Sequence, residues 1–184
     1  VCIATGATWR RDGVERQHVV PVAVDAAMPL FTPDDLMAGA VPSGHVVIYD
    51  DDHYYMGGVV AELLVEKGCT VTLVTPAAYV SEWTVNTLEQ HEIHRRLAGM
   101  GVTIELNRGV MSVGAGHVET NCMFTDQRRD VACDGVVMVS SKLENSAVYD
   151  ALKAREADWA DAGITSVKLI GDANAPGPIA WATY

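Results

Sequence analysis

Val46-Val47-Ile48-Tyr49, then Asp50-Asp51-Asp52-His53-Tyr54-Tyr55, then Met56-Gly57-Gly58-Val59-Val60-Ala61-Glu62-Leu63-Leu64 is the stretch whose reading decides the fold. The first four residues form an apolar run of strand length. In the third group Val59, Val60, Leu63 and Leu64 recur at helical spacing, which predicts a helix over 56–67. Gly68 ends it, because glycine accepts the left-handed conformation that closes a helix. Thr70-Val71-Thr72-Leu73-Val74 is a second buried strand. Strand, helix and strand within about thirty residues make a βαβ unit with parallel strands and a right-handed crossover.

The loop inside this unit carries the functional information. Units of this kind that bind dinucleotides place G-x-G-x-x-G between strand and helix, so that bare backbone meets the pyrophosphate at the helix N-terminus. Here Asp50, Asp52 and Tyr55 stand in the three glycine slots. Their side chains block close approach, and carboxylates repel a diphosphate. The second strand would need to end in an acid to hold the ribose, yet it ends in Val74-Thr75-Pro76. The loop therefore reads as self-occupied, its aspartates capping the helix. Consecutive residues such as Asp50, Asp52 and His53 seldom converge on one metal ion.

Outward from this unit, Thr32-Pro33 opens a short helix, and a long amphipathic helix is expected from Thr84 to Met100 with Leu88, Ile93 and Leu97 inward. Val102–Leu106 is a third parallel strand. Residues 109–140 read as an antiparallel meander, Ala147–Ala160 as a helix and Val167–Ile170 as the last strand. The fold class is α/β, a Rossmann-like three-layer domain with a parallel sheet plus an antiparallel β-meander, of the FAD/NAD(P)-binding-domain type. With 184 residues, 49% of them hydrophobic, the chain can bury a core. Lysine and arginine total 13 against 24 acidic residues, a net charge of -11, which argues against nucleic acid or an anionic membrane as partner. Four cysteines without a CxxC pair imply reduced thiols and a cytoplasmic setting, and no zinc or iron–sulfur site held by this chain alone. A strand at Val1–Thr5 and the apolar segment Ile179–Tyr184 both need neighbours. The expectation is a piece of a larger protein whose open strand edges favour a homodimer.

Four stretches carry a resemblance to a known family. They are Ala4-Thr5-Gly6-Ala7-Thr8-Trp9-Arg10; Tyr49 to Glu62 with its missing glycines; Thr84 to Arg96; and Lys153-Ala154-Arg155-Glu156 through Leu169-Ile170-Gly171-Asp172-Ala173-Asn174-Ala175-Pro176. Together they resemble the C-terminal region of the trimethylamine dehydrogenase family, with its dimethylamine and histamine dehydrogenases, inside the wider NADH:flavin oxidoreductase and dienoyl-CoA reductase class. The resemblance implies an oxidoreductase parent with FMN, a 4Fe-4S cluster and ADP (or FAD), served by an electron-transfer protein. Residues 1–43 would be an edge of an ADP/FAD-binding-like domain and 44–140 an NAD(P)-binding-like domain with its meander. Residues 141–184 would be the connecting helix and returning strand of the former. No catalytic residue is expected on this chain, and none of the cofactors is expected to stay with it in isolation. The strand-end residues Thr5 and Gly6 and the turn residues Gly171 and Asp172 are the candidate cofactor-binding positions, since relatives border an adenine dinucleotide there. Glycines permit close approach, and an aspartate accepts a ribose-type hydroxyl.

Two other functions fit parts of the pattern. One is a working NAD(P)H-binding domain of an NADH:flavin oxidoreductase, opposed by the loop and by Thr75. The other is a haloacid-dehalogenase-like phosphohydrolase, suggested by the strand ending Asp50-Asp51-Asp52 and by Gly171-Asp172, but lacking the Gly-Thr expected after the Asp-x-Asp.

Overall fold

The computed structural model describes residues 1–14 and 16–177. The apolar stretch 179–184 lies outside them. In chain order the first strands are β1 (Cys2–Ile3), β2 (Ala7–Trp9), β3 (Ala23–Val24) and β4 (Leu30–Phe31), followed by helix α1 (Pro33–Met37). Then come β5 (His45–Asp50), α2 (Met56–Glu66), β6 (Thr70–Val74), α3 (Gln90–Gly99) and β7 (Thr103–Glu105). The meander holds β8 (Arg108–Gly114), β9 (His117–Cys122) and β10 (Arg128–Ala132). The chain continues through β11 (Gly135–Val139), β12 (Lys142–Glu144), α4 (Ala147–Lys153) and β13 (Lys168–Leu169). Two units form: Trp9–Ser141, and Val1–Thr8 with the described residues from Lys142 onward.

The larger unit is built on a sheet of order β4-β11-β5-β6-β7, parallel throughout. A parallel sheet is covered on both faces, so its central strands are almost wholly buried. Alternation along them supplies two cores. Val46, Ile48, Val71, Leu73, Val137 and Val139 pack with Val60, Ala61 and Leu64 of α2 and Leu97 of α3. The intervening Val47, Tyr49, Val74, Val136 and Met138 pack with Val110, Val113 and Val118 of the meander. That second sheet runs β10-β9-β8-β3, antiparallel except that β3 joins β8 in parallel. Helices, parallel sheet and meander are the three layers of a Rossmann-like fold. Residues 9–43 lend β3, β4 and α1 to this unit.

Three elements differ from the sequence reading. Gly135–Val139 leaves the meander and becomes a central parallel strand, pairing with β5 and β4; all five of its residues are buried, as a strand covered on both faces requires. The helix expected from Thr84 to Met100 is broken, with a 3₁₀ turn at Glu82–Val85 and α3 starting only at Gln90. The hydroxyls of Thr84 and Thr87 donate to the carbonyls of Ser81 and Thr84, competing with helical pairing, and Leu88 takes a positive φ of 63°. Leu88, expected inside, is 91% exposed. The third difference is the helix from Ala147, which stops at Lys153. There Trp159 folds back and donates its indole N–H to the Leu152 carbonyl at 2.9 Å, burying its ring beside Ile3 and Val167. In that smaller unit β1 and β13 run parallel, Cys2 opposite Lys168 and Ile3 opposite Leu169.

Candidate functional site

The acidic turn sits at the carboxyl end of β5, where open α/β sheets bind their ligands. Asp50 and Asp51 are completely buried and His53 nearly so. Asp50 Oδ1 accepts the His53 N–H at 3.2 Å, while its Oδ2 has no hydrogen-bond partner among the described residues. The Asp50 side chain lies directly over Gly57 in the first turn of α2: a Cβ added there would stand 2.5 Å from both Cγ and Oδ2 of Asp50. Gly57 is therefore a glycine because Asp50 fills its side-chain space. Burial, reinforced by Asp52 and Asp51 and opposed by His53, pushes the Asp50 carboxyl up to about 7. His53 Nε2 lies 2.8 Å from Asp51 Oδ1. Burial works against a charge on His53, but the Asp51 contact and the nearby Asp50 charge outweigh it and raise its pKa.

The capping expected of the aspartates is not what forms. Tyr55 stands at the N-cap of α2 and no side chain caps it. His53, at φ 62°, turns the chain between Asp50 and the helix, so one oxygen of the Asp50 carboxyl accepts the His53 amide instead. At the end of β6 Thr75 is fully buried, its hydroxyl accepting the Ala77 N–H at 3.3 Å, so the position expected for a ribose-holding acid is closed. A carboxylate as sealed as that of Asp50 is out of reach of a phosphate ester, which removes the phosphohydrolase reading on accessibility alone.

Sequence reasoning missed four neighbours of this turn. Gln17 donates its N–H to Asp51 Oδ2 at 3.1 Å, and Trp83 donates its N–H to the His53 carbonyl at 3.0 Å. The Arg16 guanidinium covers the Trp83 ring at 4.1 Å. Ser81, at φ 50°, buries a hydroxyl 3.5 Å from where a Cβ on Gly58 would lie. The pair Gly57-Gly58 behind three aspartates was the local signal that something packs on the helix start.

The four predicted cofactor positions lie together in the smaller unit. Because β1 and β13 are parallel neighbours, the chain leaving each at its carboxyl end puts Thr5-Gly6 beside Gly171-Asp172, with the Ile170 N–H bonded to the Ile3 carbonyl at 2.9 Å. Gly6 and Gly171 have positive φ, 73° and 59°, and among the described residues no atom lies within 4 Å of where their Cβ would stand. Asn145 braces the first strand end: the Thr5 hydroxyl donates to its carbonyl, its side-chain amide donates to the Thr5 carbonyl, and its N–H to the Gly6 carbonyl. Asp172 accepts the Gly177 N–H at 3.3 Å through one oxygen and faces Lys142 at 3.7 Å through the other.

Comparison with known proteins follows the same lines. Residues 31–148 match the family described as the OYE-like second alpha/beta domain. Over its whole length the chain is 31% identical to dimethylamine dehydrogenase of Hyphomicrobium sp. (strain x), covering 28% of that protein. Histamine dehydrogenase from Rhizobium sp. 4-9 superposes on the whole chain with a TM-score of 0.96 at 58% identity, and 27% of it is covered. The 6-hydroxypseudooxynicotine amine oxidase of Pseudomonas geniculata N1 does so with 0.89 at 37%, again with 27% covered. The chain thus spans between a quarter and a third of the length of these relatives. It belongs to the OYE-like second alpha/beta domain family and is homologous to the dimethylamine and histamine dehydrogenases of the trimethylamine dehydrogenase family.

Proposed function

We propose that this chain is the part of an amine-dehydrogenase-like flavoprotein oxidoreductase that holds structure and an adenine nucleotide rather than performing the reaction. The observation that carries this reading is the Asp50 carboxyl packed over Gly57, in the place where a dinucleotide-binding unit brings its pyrophosphate against the helix. A pyrophosphate entering there would meet the Asp50 side chain and the neighbouring carboxylates of Asp51 and Asp52. The domain of residues 44–140 is then a degenerate dinucleotide-binding module, in keeping with a parent that passes electrons to an electron-transfer protein instead of taking them from a nicotinamide.

Thr5, Gly6, Gly171 and Asp172 fit a supporting role toward ADP or FAD. Among the described residues two glycines leave open space at adjoining strand ends, and the Asp172 carboxylate has lone pairs beyond those engaged by Gly177 and Lys142. The adenine nucleotide would supply no chemistry here; these residues would orient it. The rest of the parent chain would complete that pocket and hold the FMN and the cluster, and a homodimer would cover the open strand edges. Among the described residues no helix is long and apolar enough to cross a membrane.

Isothermal titration of the chain with NADH and with NADPH tests the degenerate module, with no binding expected. A dissociation constant tighter than about 100 μM, roughly 5.5 kcal/mol of favourable interaction, would restore the reading as a working NAD(P)H domain. In the intact parent protein, Asp172→Ala should lower the amount of ADP recovered after denaturation, and unchanged recovery would remove Asp172 from the site.

A further inference from the structure

The acidic turn ties distant stretches of the larger unit together through ionisable groups. Asp51 holds the Gln17 amide with Oδ2 and sits against His53 Nε2 with Oδ1; His53 in turn holds the Trp83 amide with its carbonyl. The amides of Asp51 and Asp52 both donate to the Val139 carbonyl, fixing the turn to the end of β11. At the centre Asp50, fully buried, leaves Oδ2 without a partner among the described residues, as do His53 Nδ1 and Ser81 Oγ. Among the described residues the charged groups acting on Asp50 are Asp51, Asp52 and His53 on the turn itself, and Arg16 acts on His53 from the preceding segment. Glu82 lies beside Trp83 in the 3₁₀ turn, and His18 tilts against Tyr49 with ring centres 6.5 Å apart. The first turn of α2, Met56-Gly57-Gly58, and the end of β11, Val139-Ser140, bring no ionisable side chain.

We propose that this turn is a proton-operated clasp. With Asp50 neutral and His53 charged against Asp51 it holds residues 16–17 and 81–83 against the start of α2, and it loosens as the two groups give up their protons. A buried carboxylate with one oxygen unmatched, beside two further carboxylates, is costly, and a neutral carboxyl in the same place costs far less. Both groups have pKa values above their ordinary 3.8 and 6.5, so the closed turn binds more protons than the open one. Stability tied to a raised pKa is complete below the ordinary value and lost as pH rises through the folded one. For Asp50 the loss therefore builds from near 4 to about 7, and the His53 contribution fades above 6.5. The clasp is tight on the acid side and loosens on the alkaline side. It stands on the geometry of the turn, whether or not the parent carries an adenine nucleotide, so nucleotide titration and the following experiment fail independently.

The test is NMR of the chain between about pH 5 and pH 9, following the Asp50 carboxyl carbon, the His53 ring and hydrogen-exchange protection of the Gln17 and Trp83 amides. The expected result is an Asp50 titration near neutrality, with protection of both amides, corrected for intrinsic base catalysis, falling over the same window. Protection of the Ile48 amide in the central strand should fall no further than global stability does. Asp50→Asn, which keeps an acceptor for the His53 amide, should flatten the protection profile. Asp52→Asn, at a partly exposed position, removes one neighbouring negative charge and should move the midpoint to lower pH. An Asp50 that titrates with ordinary carboxylates, or protection that stays flat while Asp50 titrates, would overturn the clasp. Should Asp50→Asn not fold, the parent titration and the Asp52→Asn shift decide it.

Discussion

Replacing Gly57 by alanine asks whether Asp50 occupies the helix start, because the sign of the effect depends on it. In an exposed helix the change stabilises by up to about 1 kcal/mol, since alanine has the better propensity. Here the new Cβ would stand 2.5 Å from Cγ and Oδ2 and 2.9 Å from Cβ of Asp50. Ordinary carbon contacts begin near 3.4 Å, so the Asp50 side chain or the helix must give by close to an ångström. Asp50 is fully buried and cannot swing into solvent. Overpacking of this kind costs about 1–3 kcal/mol, which exceeds the propensity gain and makes Gly57→Ala destabilising. In an Asp50→Gly background all three opposing atoms are gone, and the same substitution should become neutral or stabilising. The coupling between the two sites is then about 1–3 kcal/mol and favourable to the double variant. Urea denaturation of the four proteins at one pH, with m-values checked for constancy, measures it. Additive effects, or a Gly57→Ala variant as stable as the parent, would refute the packing argument.

Two further outcomes follow from single contacts. Asp50→Asn should change the pH dependence of stability: relative to the parent, the variant gains about 4 kcal/mol between pH 4 and pH 8, the free-energy equivalent of a carboxyl raised from 3.8 to about 7. The unpartnered amide offsets this by about 1–3 kcal/mol at every pH, so acid conditions favour the parent and alkaline conditions the variant; parallel denaturation curves would sink the prediction. Trp159→Phe removes the donor to the Leu152 carbonyl, at a cost of about 1 kcal/mol. Exchange protection of the Ile170 amide in the smaller unit should fall several-fold while that of Val71 in the larger unit holds, and equal protection in both proteins would argue that the indole bond contributes nothing.

On the function proposed above, the chain would keep a nucleotide-binding architecture while its loop has lost the matching chemistry. The parallel sheet, the crossover helix and the meander are built from apolar alternation and survive whatever the loop contains. The loop is a handful of residues at the carboxyl end of one strand. Once Asp50 points inward and Gly57 accommodates it, the helix start is packed by protein. Thr75 reinforces this from the next strand, its hydroxyl turned to the local backbone rather than to a ligand.

The βαβ unit was legible in the order of residues, because four apolar residues, an amphipathic run and a second apolar strand have only one economical arrangement. So were the missing phosphate glycines, whereas the adjacency of the strand ends leading to Thr5-Gly6 and Gly171-Asp172 comes only from the parallel pairing of β1 with β13. Local pattern was a poor guide wherever a tertiary partner outvoted it. Gly135–Val139 resembles a meander strand in its composition, but only the sheet around it makes it central. Leu88 has the spacing of a buried helical residue, yet threonine hydroxyls bonded to nearby carbonyls break the helix before reaching it. What filled the acidic turn was also beyond sequence: Arg16, Gln17, Ser81 and Trp83 arrive from loops whose approach no periodicity encodes. Periodicity records which face of an element is dry; the protonation of a buried carboxyl depends on which groups from elsewhere stand around it, and that is settled only when the chain has closed on itself.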